Sequence, residues 1–239
     1  MTIIANTLNG KIGFIDSLTG QFEQIASIST TLTDIAVDRN GQIYANSFSR
    51  LYRVNRSTGT VSLVGNLGGT SFNALEFSID GKLWGINDNL LYQINPINAE
   101  ITFAFNLGFT SSGDLVFDAI NNRFYATGRP SLSGSDFLYS IQLSSSLSTV
   151  TRVTQIGNIG YSNVWGLAFE GSTLHGYTSS NQDIIINTSS GAGSFNKNIN
   201  GLVGEAIGGA DSFLVSRDFN KDGKTDILLN NPNQGWNTA

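Results

Sequence analysis

Apolar positions along the chain cluster in short runs rich in β-branched and aromatic side chains, each bounded by Gly, Asn, Asp or Ser. Such runs read as β-strands joined by tight turns. One run recurs as Asp34-Ile35-Ala36-Val37-Asp38, Ala74-Leu75-Glu76-Phe77-Ser78, Asp114-Leu115-Val116-Phe117-Asp118 and Gly166-Leu167-Ala168-Phe169-Glu170, with a weaker copy at Ala206-Ile207-Gly208-Gly209-Ala210. The second residues of these copies stand 40, 40, 52 and 40 residues apart. Each copy leads into a turn and a second run: Gly41-Gln42-Ile43-Tyr44, Gly81-Lys82-Leu83-Trp84, Asn122-Arg123-Phe124-Tyr125 and Ser172-Thr173-Leu174-His175. A third run follows in the same order, at Leu51–Asn55, Leu91–Asn95, Leu138–Gln142 and Ile184–Asn187, and a fourth at Val61–Val64, Ile101–Phe105 and Val150–Val153.

The link from third to fourth run has its own signature. Asp16-Ser17-Leu18-Thr19-Gly20, Asn55-Arg56-Ser57-Thr58-Gly59 and Asn187-Thr188-Ser189-Ser190-Gly191 all open on a side chain that bonds its own backbone and close on a Gly that supplies positive φ. In the variant Asn95-Pro96-Ile97-Asn98-Ala99, Asn98 is expected to take the left-handed position.

Four antiparallel strands in about 40–45 residues is the blade period of a β-propeller. The chain opens inside a unit: Thr2–Asn6 reads as a second strand, Lys11–Ile15 as a third and Phe22–Ile25 as a fourth. The missing first strand is the orphan around Ala206-Ile207, so both chain ends are expected in one blade. The expected fold is an all-β, five-bladed propeller over residues 1–214, closed by this strand sharing, which hides the free edges an open array leaves. The alternative is an open piece of a larger propeller. Residues 215–239 form a separate segment.

The succession of an apolar strand, Gly-x-Leu-Tyr, then Leu-Tyr-x-Ile-Asn-x-x-Thr-Gly resembles bacterial propeller repeats of the NHL and YVTN type over about residues 1–212. The resemblance implies a fold rather than a function, because such repeats serve binding proteins and enzymes alike.

Composition narrows the chemistry. Charged residues make up 13% of the 239, and the net charge is −5. An acidic, charge-poor chain repels phosphate backbones, which argues against a nucleic-acid partner. With no Cys and a single His, disulfides, thiolate metal sites and a His-rich cluster are excluded. No stretch approaches the apolar length of a membrane span, so no membrane insertion is expected. The N-terminus lacks a secretory leader pattern, so either the protein is cytoplasmic, or its export signal lies outside this chain or is not of the Sec type. No Gly-rich phosphate loop opens a helix, and no Gly-x-Ser-x-Gly elbow occurs.

The sharpest motif follows the repeats: Asp218-Phe219-Asn220-Lys221-Asp222-Gly223-Lys224-Thr225-Asp226. Oxygen side chains at Asp218, Asn220, Asp222 and Asp226, with the Lys224 carbonyl, form a ligand set suited to Ca²⁺. The bland alternative is a solvated acidic turn. An EF-hand would carry Glu at its twelfth position, where this chain has Leu229. The run instead resembles the calcium hairpin loop of FG-GAP (VCBS-type) repeats, including Asn231-Pro232 and Gly235-Trp236. That resemblance implies calcium and an extracellular or cell-surface, adhesive setting.

Other candidates are weaker. His175 replaces Tyr44, Trp84 and Tyr125 of sister units and reads as a core substitution. Glu76, Asp34, Asp114 and Glu205 lie in or beside inner strands, where propeller hydrolases of the lactonase type hold a channel cation; the same residues also cap turns. The loops from each fourth strand to the next first strand carry Phe72, Asn73, Phe109, Tyr161, Asn163 and Trp165, able to stack on and hydrogen-bond a glycan, a peptide or another protein, or else to pack between blades. The reading that follows is a non-catalytic binding or adhesion propeller, acting as a monomer and belonging to an exported protein, with a calcium loop at its end. A metal-dependent propeller hydrolase is the alternative, and a structural spacer a third possibility.

Overall fold

A computed structural model describes residues 2–69, 71–129, 134–213, 228–231 and 235–238. Five four-stranded antiparallel sheets make up the body of the chain. Blade 2 is built from Asp34–Val37, Ile43–Asn46, Arg50–Val54 and Val61–Asn66, in order from the axis outward. Blade 3 follows with Phe72–Phe77, Leu83–Asn87, Leu90–Ile94 and Ile101–Asn106, and blade 4 with Thr110–Asp118, Arg123–Arg129, Phe137–Leu143 and Val150–Asn158. Blade 5 holds Val164–Glu170, Thr173–Thr178, Gln182–Ile186 and Gly193–Asn198.

Blade 1 takes three strands from the N-terminus, Thr2–Thr7, Lys11–Asp16 and Phe22–Ser27, and its innermost strand, Ile207–Phe213, from the far end of the ring. Inner strands touch their neighbours all the way round, blade 1 against blade 2 and blade 5 against blade 1. The fold is therefore a closed five-bladed β-propeller, as the repeat predicts. Among the described residues there is no helix, and so none long and apolar enough to cross a membrane. Leu228–Asn231 and Gly235–Thr238 pair as a two-stranded sheet of their own. The 214/215 boundary lies outside the described residues.

The apolar core is divided into five clusters, one at each junction between blades. Ile4, Ile12 and Ala26 meet Ile35, Ile43 and Tyr52 between blades 1 and 2. Tyr44 and Leu51 meet Phe72, Leu75 and Phe77 between blades 2 and 3, where the Tyr44 and Phe77 rings lie 5.5 Å apart. Trp84, fully buried, packs on Phe124 between blades 3 and 4 with ring centroids 5.8 Å apart. Val116 and Tyr125 meet Leu167 and Leu174 at the next junction, and Ala168 and Tyr177 meet Ile3 and Phe22 at the last. Alternation along each strand sends one set of side chains to each neighbour, so every blade is apolar on both faces.

The turns follow their chemistry. Asp16 Oδ1 accepts from the Leu18 and Thr19 amides at 3.0 and 2.7 Å, and Asn55 and Asn187 do the same in their loops. One expectation is corrected: Ala99 (φ 63°), not Asn98, holds the left-handed position that Gly20, Gly59 and Gly191 fill elsewhere. Its buried side chain joins the core between blades 2 and 3, which offsets the backbone cost of a Cβ there.

Strand pairing also corrects the register of the fifth copy. Ile35, Leu75, Leu115 and Leu167 lie opposite Ala45, Gly85, Ala126 and Gly176, and the residue in that place in blade 1 is Ala210, opposite Ala5. The weak copy is thus centred three residues beyond Ile207, which brings Asp211 level with Ala36, Glu76, Val116 and Ala168.

Candidate functional site

An inner strand has one paired edge and one edge facing the axis, whose amides need acceptors. Four buried carboxyls supply them. Asp34 Oδ1 accepts from the Ile35 amide at 2.8 Å, and its Oδ2 reaches into blade 3 to the Leu75 amide at 2.6 Å. Asp114 repeats this between blades 4 and 5, with Oδ1 on the Leu115 amide and Oδ2 on the Leu167 amide, each at 2.5 Å; Oδ2 also takes the Ala210 amide of blade 1 at 3.3 Å. Glu76 accepts from its neighbour Phe77 at 2.6 Å and from the Phe117 amide of blade 4. Asp211 accepts from Ser212 at 2.5 Å and from the Val37 amide of blade 2 at 2.7 Å.

Each carboxyl therefore ties its own strand to the next blade. The acids occupy two tiers that alternate around the ring. Asp34 and Asp114 share one strand position with Ala74, Gly166 and Gly209, while Glu76 and Asp211 share the position two residues on with Ala36, Val116 and Ala168. Alternation cannot close on an odd number of blades, and blade 5 carries no acid at either position. Its junction with blade 1 is bridged by Asp114 Oδ2 from blade 4 and by a hydroxyl: Ser212 Oγ accepts from the Phe169 amide at 2.9 Å and donates to the Phe169 carbonyl at 2.6 Å. Gly209 is required beside the first tier, because a Cβ there would stand 2.1 Å from Asp34 Oδ1.

Within each tier the two carboxyls lie close enough that a charge on one disfavours a charge on the other. Buried carboxyls so placed favour keeping a proton on one of them. Burial raises all four: Asp34 and Glu76 lie well above the usual carboxylate range, further lifted by Asp114 and by Asp211 respectively. Burial also pushes Asp114 up to about 8 and Asp211 up to about 7, against the lowering effect of the amides they accept.

These contacts bear on a channel cation. The carboxyls serve backbone amides, and a metal ion, which needs several oxygens turned to one point, would have to displace those bonds. Among the described residues no three His, Cys, Asp or Glu side chains are grouped to hold a metal ion. Glu205 stands apart from the quartet, accepting from Thr7 Oγ1 at 2.8 Å and paired with Lys11. The donor set in this arrangement does not fit a lactonase-type metal site.

The second tier forms the floor of a cavity of about 560 Å³ that opens on the face carrying the turns from first to second strands. Glu76, Asp211 and Ser212 lie deepest, Phe77, Phe117 and Phe169 contribute from three successive blades, and Val116 and Tyr125 complete the wall. At the rim stand Arg39, Arg123, Ile79 and Ile120, the two isoleucines 60% and 88% exposed. Sequence reasoning singled out Glu76 but missed Asp211, because alignment on Ile207 placed it outside the repeat. Counting from Ala210 would have found it.

The loop residues proposed from sequence lie on the opposite face. Phe72 is fully buried and packs 5.6 Å from the Tyr92 ring. Asn73 donates to the Ser111 carbonyl at 3.2 Å, and its buried Oδ1 has no partner. Phe109 stacks on Tyr139 at 3.8 Å, beside Arg129 and Gln155, in a second cavity of about 510 Å³. Asn163, at φ 56°, accepts from the Arg129 guanidinium, which is also paired with Asp136 at 2.5 Å. Tyr161 and Trp165 are half-buried near it. His175 is buried, with Nδ1 2.8 Å from Asp183 Oδ1 and Nε2 3.6 Å from Glu170, and lines neither cavity. Asp218, Asn220, Asp222, Lys224 and Asp226 lie outside the described residues.

No family model matches the chain, and no curated protein matches it. Solved structures do match in fold. A chain of a nidogen/laminin complex superposes with a TM-score of 0.57 at 13% identity, covering 88% of this chain and 85% of that one. A gluconolactonase from Xanthomonas campestris gives 0.55 at 12% identity, over 84% of this chain and 77% of its own. An auxiliary nutrient binding protein from Bacteroides ovatus gives 0.52 at 10% identity, over 79% of this chain and 52% of that one. At these identities the likeness is one of architecture.

Proposed function

We propose that this chain is a non-catalytic binding propeller whose ligand sits in the channel mouth above Glu76 and Asp211. The observation that carries the reading is the division of labour at the axis. The acids that a hydrolase would use are engaged with backbone amides, while the cavity above them is walled by aromatic rings and open to solvent. Its volume, about 560 Å³, lies in the range of small-molecule sites. The nutrient-binding and nidogen/laminin neighbours are compatible with a small ligand or a protein partner, by analogy of fold alone.

The NHL- and YVTN-like repeat and the exported setting belong to the same proposal, as does a calcium loop at Asp218, Asn220, Asp222, Lys224 and Asp226. These rest on the sequence. The experiment is a thermal-shift screen of small metabolites against the wild type and Ser172→Trp, a bulky substitution at an exposed residue of the mouth. Ligands that stabilise the wild type and not the variant are expected. Turnover of any hit, or hits indifferent to Ser172→Trp, would overturn the reading.

A further inference from the structure

The mouth changes character with depth. Its floor is a pair of acids, Glu76 and Asp211, each 5% exposed. Its middle is aromatic, from Phe77, Phe117 and Phe169. Its rim carries two guanidiniums in a chain whose net charge is −5. Arg39 is exposed and makes no hydrogen bond or ion pair among the described residues. Arg123 lies over the Tyr125 ring at 5.6 Å and is ion-paired through Nε with Asp118 Oδ2 at 3.4 Å, its terminal nitrogens making no hydrogen bond among the described residues. An acidic floor, an apolar middle and a rim bearing Arg39 and Arg123 are complementary to a molecule with an amine at one end and an anion at the other.

We infer that the mouth takes a zwitterion: an amine seated on the Glu76–Asp211 pair, an apolar body between the phenylalanines, and an anionic group meeting Arg39 and Arg123. This rests on the reading of the mouth as a ligand site and names the chemistry of its ligand. The three rings suit the apolar body, and the guanidiniums suit a carboxylate or phosphate. The ammonium takes over from a proton held by the pair, so one proton leaves to solvent as it enters. The charged and titratable groups around that pair are Asp114, with Asp34 beside it, and Arg39, Arg123, Asp118 and Tyr125 of the cavity wall. Raised carboxyls at the floor fit such an exchange, because at neutral pH there is a proton to give up.

Calorimetry on the full chain with 4-(aminomethyl)benzoate, benzylamine and benzoate tests this. The zwitterion is expected to bind about ten-fold tighter or more than either half-molecule, a step of about 1.4 kcal/mol. Its binding heat should vary with buffer ionisation enthalpy, as proton release requires, and its affinity should rise from pH 6 to pH 8. Glu76→Gln should bring the zwitterion down to the level of benzoate. Arg39→Ala, at an exposed rim residue, should bring it down to the level of benzylamine. Benzoate binding as tightly as the zwitterion, or no response to Arg39→Ala, would overturn the inference. If all three probes fail while other ligands from the screen are lost in Ser172→Trp, the zwitterion is wrong and the binding site stands. If nothing binds at the mouth, both fall.

Discussion

Two kinds of contact hold neighbouring blades together, and they differ in almost every physical respect. Away from the axis the blades meet through apolar clusters such as Trp84 on Phe124, which are non-directional and insensitive to pH. At the axis they meet through short, directional bonds that buried, proton-holding carboxyls accept from amides. The first kind fills volume and stabilises in proportion to area. The second satisfies the open edges of inner strands where burial keeps water from doing so. Buried acids at a propeller axis therefore need not signal catalysis; here they do the work that a further strand would do in a flat sheet.

The largest effect should come from breaking closure itself. Deleting residues 1–8 removes the strand Thr2–Thr7 that pairs with Ile207–Phe213, leaving the inner strand of blade 1 unsupported. Loss of the cooperative denaturant transition is expected, whereas a wild-type midpoint would mean that the ring does not depend on strand sharing. Next is Asp114→Ala, which strips three amides of their acceptor. With about 1–3 kcal/mol per orphaned buried group, a loss of at least about 3 kcal/mol is expected in chemical denaturation. Asp114→Asn, which keeps an acceptor, should cost less.

Ser212→Ala sharpens the comparison at the one junction to which neither tier contributes an acid from the preceding blade. It removes a single hydroxyl linking blades 5 and 1, with an expected cost of about 1–2 kcal/mol and no change in pH dependence. The smallest effect on the ring should come from Asp222→Ala. That substitution is expected to abolish calcium binding, read by isothermal titration, while the melting temperature measured without calcium stays at the wild-type value.

Much of the architecture was legible in the chain because the apolar junctions repeat. The interval between Ile35, Leu75 and Leu115 and the recurrent Leu-Tyr runs are enough to count blades, and the incomplete first unit points to strand exchange. The axial network was not legible for two reasons. Its partners are far apart in sequence, Asp211 and Val37 being separated by 174 positions. Its residues also alternate between two strand positions, so no single repeat shows the pattern. Asp34 and Asp114 look like strand-start caps in isolation, and only the ring brings them face to face. The mouth was hidden for a similar reason: Phe77, Phe117 and Phe169 look like ordinary strand residues until three blades converge. The loop aromatics on the other face were easier to notice because they interrupt polar runs, yet Phe72 is spent in the core.

The account stands on the axial acids being structural acceptors that hold protons in the folded ring, and the pH dependence of stability measures that directly. Acids raised in the folded state hold protons that the unfolded chain releases, so folding binds protons between the unfolded values, 3.8 for Asp and 4.5 for Glu, and the folded ones, about 7 for Asp211 and about 8 for Asp114. Their contribution is full below the unfolded values and is lost as pH rises through the folded ones. Denaturant melts of the wild type between pH 5 and pH 9 should show stability falling across that range, with a shallower fall in Asp114→Asn. Stability that is flat or rises from pH 5 to pH 9 would mean that the four carboxyls are ionised in the folded ring, and would contradict the claim.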